Sequence, residues 1–84
     1  MSYKLLQLAP GSYDVVLNGV IVASLVRSGQ SNDAIWTAEL LIDLAPAERP
    51  APFLQQEHLF KSLSEARAWL GDPKVRDLAS DTDR

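Results

Sequence analysis

The chain has one histidine, His58, and it stands beside Glu57. This is as close as the sequence comes to an acid–base pair. General acid–base work by an imidazole needs a partner held in reach in space, and adjacency along a chain does not provide that. There is no second histidine and no cysteine, so a zinc or thiolate site has no ligand set to draw on. His58 therefore reads as a surface or helix-entry residue. The carboxylates Asp14, Asp33, Glu39, Asp43, Glu48, Glu57 and Glu65 form no D-x-D or H-x-x-x-D pattern. Glu39 and Asp43 fall on one face of a strand, where two solvated carboxylates are expected rather than a calcium or magnesium site. The serines lack a G-x-S-x-G elbow. Gly11, Gly19 and Gly29 are isolated turn glycines, not a phosphate-cradling loop. The expectation is a protein with no catalytic, cofactor-binding or metal residues, and no enzyme.

Two tryptophans remain, Trp36 and Trp69. Either could stack on a base or anchor a partner. Trp36 alternates with Ala38 and Leu40, and Trp69 flanks a helical stripe, so packing against each other across a sheet–helix interface is the expected role. Arg49-Pro50-Ala51-Pro52 lacks the P-x-x-P spacing of a polyproline ligand and reads as part of a linker.

The elements that would position these residues are legible in part. Tyr13-Asp14-Val15-Val16-Leu17 and Val20–Val26 are rich in β-branched residues and are separated by Asn18-Gly19. Asn-Gly is the favoured pair for a type I′ hairpin, because both turn positions need positive φ. An unbroken register from that turn places Leu17 opposite Val20, Val15 opposite Val22 and Tyr13 opposite Ser24. On the other face Val16 meets Ile21, and Asp14 meets Ala23. Ile35–Asp43 alternates again and predicts a third strand. The strands are expected near 13–18, 20–27 and 35–43. Leu44–Leu59, with Pro46, Pro50 and Pro52, has no clean period and reads as an extended crossover.

Phe60–Gly71 carries a complete short helix, near 63–70. Ser62 and Glu65 fit a capping box, Gly71 suits the left-handed position after the helix, and Pro73 cannot continue it. Leu63, Ala66 and Leu70 share a face. So short a helix does not persist alone in water and must dock on the sheet. The fold class expected is α+β: a three-stranded antiparallel meander, with Tyr3–Leu8 available as a fourth, N-terminal strand, and one C-terminal helix packed on one face. Residues 1–71 would form a single small β-β-β-α domain, and 72–84 a polar, frayed tail in which Val75 and Leu78 could add a helical turn.

The order of a glycine-turn hairpin, a Trp-x-Ala strand (Trp36, Ala38) and a Phe-x-Ser-x-x-Glu-Ala helix start (Phe60, Ser62, Glu65, Ala66) resembles a known layout. It is similar to the AP2-like, arm-type DNA-binding module of phage tyrosine recombinases, and to small bacterial and phage proteins with the same β-β-β-α order. The resemblance covers about residues 13–71. It implies a nucleic-acid-binding accessory domain that reads DNA with a basic, polar sheet face. The strands here depart from that pattern: they carry Arg27 among aliphatic residues, with Asp14, Glu39 and Asp43 nearby.

Composition points the same way. Of 84 residues 8 are Lys or Arg and 11 are Asp or Glu, a net charge of −3. The basic residues are spread along the chain, whereas nucleic-acid binders concentrate them on one face, so nucleic acid is not the expected partner. No stretch approaches the roughly 20 apolar residues that span a bilayer, and Met1-Ser2-Tyr3-Lys4 lacks the basic and apolar regions of a secretory signal. A cytoplasmic protein with no membrane contact is expected.

The strongest functional inference counts faces. One helix covers one face of a sheet, and the richer face (Val15, Leu17, Val20, Val22, Trp36, Ala38, Leu40, Ile42) should receive it. The other would display Val16, Ile21, Ala23, Leu25 and Leu41, with Ile35, where a wet face should alternate to polar. Such a patch calls for cover by the N-terminal segment, the crossover or a second chain. The expected function is a small non-catalytic interaction module, self-associating as a homodimer through Val16, Ile21, Ala23, Leu25 and Leu41, with another protein as the alternative partner.

Overall fold

The computed structural model describes residues 3–29 and 33–77. The α+β class and the single C-terminal helix stand, but the sheet is larger than the sequence implies. Six strands pair in one mixed sheet: β1 (Tyr3–Ala9), β2 (Ser12–Leu17), β3 (Val20–Ser28), β4 (Ile35–Leu40), β5 (Glu57–Phe60) and β6 (Lys74–Asp77), with helix α1 (Leu63–Trp69) between the last two. Their spatial order is β5-β4-β3-β2-β1-β6. The first four strands form an antiparallel meander, β5 adds antiparallel to β4, and β6 lies parallel to β1.

The expected hairpin turn forms as read, with Asn18 at φ 54° and Gly19 at φ 81°. The helix is also close to its expected span. The Ser62 hydroxyl accepts from Glu65 N at 3.1 Å, and the Glu65 carboxylate accepts from Lys61 N at 3.3 Å. Glu65 thus reaches one residue further back than a capping box requires. Gly71 takes φ 89° just beyond the helix.

Four expectations are corrected. Glu57–Phe60 is a strand inside the supposed crossover, and Lys74–Asp77 is a strand rather than a polar tail or helical turn; residues 78–84 lie outside the described ones. The fourth strand stops at Leu40, not Asp43.

The fourth correction matters most. The β2–β3 register begins as expected, with Leu17 opposite Val20 and Val16 opposite Ile21, but then Val15 faces Ala23, Asp14 faces Ser24 and Tyr13 faces Leu25. Val22 is one residue too many on β3, a β-bulge. Beyond a bulge every side chain of the strand changes face. Ala23 and Leu25 therefore point to the helix side, where both are fully buried.

The core fills that side. Leu5, Val15 and Leu25 are its largest fully buried side chains, and Ala38 on β4 and Ala66 on α1 are also buried completely. These small residues suit the close approach of the helix to β4, which it contacts together with β5. The crossover contributes Phe53, whose ring meets Trp69 at 4.8 Å, His58 at 5.9 Å and Tyr3 at 6.5 Å between centroids. The Tyr3 hydroxyl donates to Ala51 O at 2.6 Å, tying the crossover to β1. Gln56 fixes its other end by donating to Leu40 O and Ile42 O.

Candidate functional site: the open face of the sheet

The face turned away from α1 is the surface on which function can be built. Backbone register arranges it in rows across the strands. One row runs Lys74, Lys4, Val16, Ile21; the next runs Arg76, Leu6, Asp14, Ser24, Glu39, Glu57; a third runs Ser12, Val26, Thr37, Leu59. Ile35 lies beyond Thr37 on β4. Leu6 and Val16 are half-buried, and Ile21, Val26, Ile35 and Leu59 are exposed. Among the described residues the one helix contacts the sheet only through its other side at β4 and β5, and the molecule is 20 Å thick along its shortest axis. That is the thickness of two layers, sheet and helix.

Of the five residues expected to form an interface, Val16 and Ile21 lie here. Ala23 and Leu25 do not, since the bulge turns them into the core. Leu41 lies past the end of β4 and is 56% exposed; its N–H donates to Val22 O at 3.1 Å. It joins Ile21 at an apolar groove of about 390 Å³ at the hairpin end of the sheet, lined also by Val20, Ile42, Leu44 and Pro50. The groove meets the open face at Ile21 and turns round the sheet end. Leu6, Val26 and Leu59 were not anticipated on this face. The polar row of Asp14, Ser24 and Glu39 is the signal that could have found it, because an unbroken register points Ser24 into the core.

Charge on the open face is sorted by edge. Lys4 and Lys74 are direct neighbours where β1 meets β6, and Glu39 and Glu57 where β4 meets β5.

His58 is on the covered side and its imidazole is engaged. Nε2 accepts from Leu54 N at 3.2 Å and Gln55 N at 3.1 Å, so Nδ1 carries the proton of the neutral ring. The ring lies 4.7 Å from that of Trp69. It holds the crossover down, a structural task. Trp36 and Trp69 pack within the molecule but not against each other as expected: Trp36 meets Tyr13 at 5.9 Å, while Trp69 meets Phe53, His58 and Phe60. Burial raises the pKa of the Tyr3 phenol above its ordinary value. Among the described residues no group of three or more His, Cys, Asp or Glu could hold a metal ion, and no helix is long and apolar enough to cross a membrane.

Comparison with known protein families, curated proteins and solved structures finds no match to this chain.

Proposed function

We propose that this protein is a non-catalytic interaction module that self-associates through the open face of its sheet. The observation that carries this is the set of aliphatic side chains on that face, Leu6, Val16, Ile21, Val26, Ile35 and Leu59, with no covering element among the described residues. The row Asp14, Ser24, Glu39 and Glu57 divides them into two clusters, Val16 and Ile21 with Leu6 beside them, and Val26, Ile35 and Leu59; exposed aliphatics grouped among polar residues in this way suit a surface covered by a partner. The only imidazole is committed to backbone N–H groups, which supports a binding role over an enzymatic one. Absence of cysteine agrees with a cytoplasmic setting.

Size supports the reading as well. Six strands at about 4.8 Å spacing, averaging about 20 Å in length, offer roughly 600 Å² in projection. The real, corrugated surface is larger and approaches the ~800 Å² that each partner of a standard interface buries. A twofold pairing would bury this face on both copies.

Sedimentation velocity at tens of micromolar tests the proposal. A species of twice the 9.2 kDa chain mass is expected; a lone 9.2 kDa species at every concentration overturns it. The same samples, mixed with random duplex DNA at physiological salt, should show no complex. Tight binding that weakens steeply with salt would instead favour the nucleic-acid-binding accessory domain implied by the recombinase-module resemblance.

A further inference from the structure

Resting on that self-association, we infer that the second copy is oriented by charge, with the lysine pair of each chain over the glutamate pair of the other. Lys4 and Lys74 stand directly opposite each other across two strands, and so do Glu39 and Glu57. None of the four has an ion-pair partner among the described residues. Like charges placed opposite one another in a sheet repel. The domain carries two such pairs, of opposite sign, near opposite edges of one face. Each pair is the counter-charge that the other lacks.

Symmetry turns this into an arrangement. The strand order β5-β4-β3-β2-β1-β6 has its midpoint between β3 and β2. A twofold axis in the interface, parallel to the strands at that midpoint, lays β4 over β1 of the second copy and β5 over β6. Glu39 and Glu57 then fall above Leu6 and Arg76 of the basic edge, one row, about 7 Å along the strands, from Lys4 and Lys74. Packed sheets lie about 10 Å apart, a gap that extended lysine and glutamate side chains together bridge. At the centre, Asp14 of each copy faces Ser24 of the other, a carboxylate opposite a hydroxyl donor. Leu6, Val16, Ile21 and Val26 surround that pair. The alternative axis, perpendicular to the strands, would set lysines over lysines and glutamates over glutamates. Charge selects the first.

Two measurements test the arrangement. The first mixes two charge-reversed variants, K4E/K74E and E39K/E57K. Each alone should dissociate at least tenfold more readily than the parent, while an equimolar mixture should regain a heterodimer of parental affinity. Parental dissociation should also rise with salt, since the pairs sit at the rim. The second exploits the absence of cysteine. With a short bis-maleimide, chains bearing Lys4→Cys should cross-link to chains bearing Glu39→Cys, and not to one another. Cross-linking of Lys4→Cys chains among themselves, or variants that dimerise as the parent does, would overturn this orientation and leave self-association intact. A parent that stays monomeric overturns both.

Discussion

Truncating Leu25 and Ile21 to alanine, one at a time, separates the bulged register from an unbroken one. In the structure Leu25 is 0% exposed and Ile21 is 45% exposed. Without the Val22 bulge both would lie on the open face and respond alike. Removing a fully buried leucine costs the lost transfer energy plus a cavity, about 2–5 kcal/mol. Ile21 keeps nearly half its surface in water, so its truncation forfeits about 1 kcal/mol of burial and leaves no enclosed cavity. A domain of this size has about 5–10 kcal/mol to lose, so Leu25→Ala should remove a large part of its stability. Urea unfolding at submicromolar concentration, where association contributes least, reads the two midpoints at a common slope. A Leu25 variant more than 1 kcal/mol less stable than the Ile21 variant is expected. Equal shifts, or a larger one at Ile21, would show that Leu25 is not in the core and that the register runs on unbroken.

Ser62→Ala should lower stability by about 1 kcal/mol, because Glu65 N loses its acceptor at the helix start; unchanged denaturant midpoints would refute the cap. Tyr3→Phe should cost about 1 kcal/mol through its bond to Ala51 O and should flatten the alkaline limb of the stability curve. Burial raises the phenol's pKa, so the fold favours the protonated form. That contribution is whole below about pH 10 and fades as pH climbs through the raised value; an alkaline limb identical in the variant would rule out Tyr3 as its source. His58→Phe keeps a ring against Trp69 but removes the acceptor for Leu54 N and Gln55 N, both exposed, so the loss should be small, about 1 kcal/mol. Hydrogen exchange at those two amides should accelerate before any other, and uniform acceleration would count against a local hold by His58.

The sequence carried the parts of this fold whose chemistry is local. Asn18-Gly19 demands positive φ at both positions, and Ser62 with Glu65 and Gly71 encloses a helix, so the hairpin tip and α1 could be placed from a few residues. The bulge could not, because Val20–Val26 is apolar at both parities and a slip of one residue leaves the hydrophobic pattern almost intact. Only Ser24 objects. The strand Glu57–Phe60 escaped notice for a different reason: its inward residues are His58 and Phe60, and a histidine that faces the core through aromatic packing looks polar in a pattern. Lys74–Asp77 has a single aliphatic residue, Val75, and owes its strand state to the edge that β1 offers. Which residues stand on the second face depended on the register, so Ala23 and Leu25 were assigned to it and Leu6, Val26 and Leu59 were not.

The parallel strand β6 sets the order in which the chain can be completed. Each pairing in the meander joins neighbours in sequence and closes through a short loop, which is the fast kind of contact. The β1–β6 ladder instead joins residue 4 to residue 74, a closure across most of the chain, and loop entropy makes such contacts late. During synthesis β1 can pair with β2 as soon as the hairpin emerges, but its outer edge stays unpaired until the last strand leaves the ribosome. For that interval the nascent chain presents an open strand edge, the kind of template onto which another nascent chain can add. The charge of Lys4, at that edge, then guards it until Lys74 arrives.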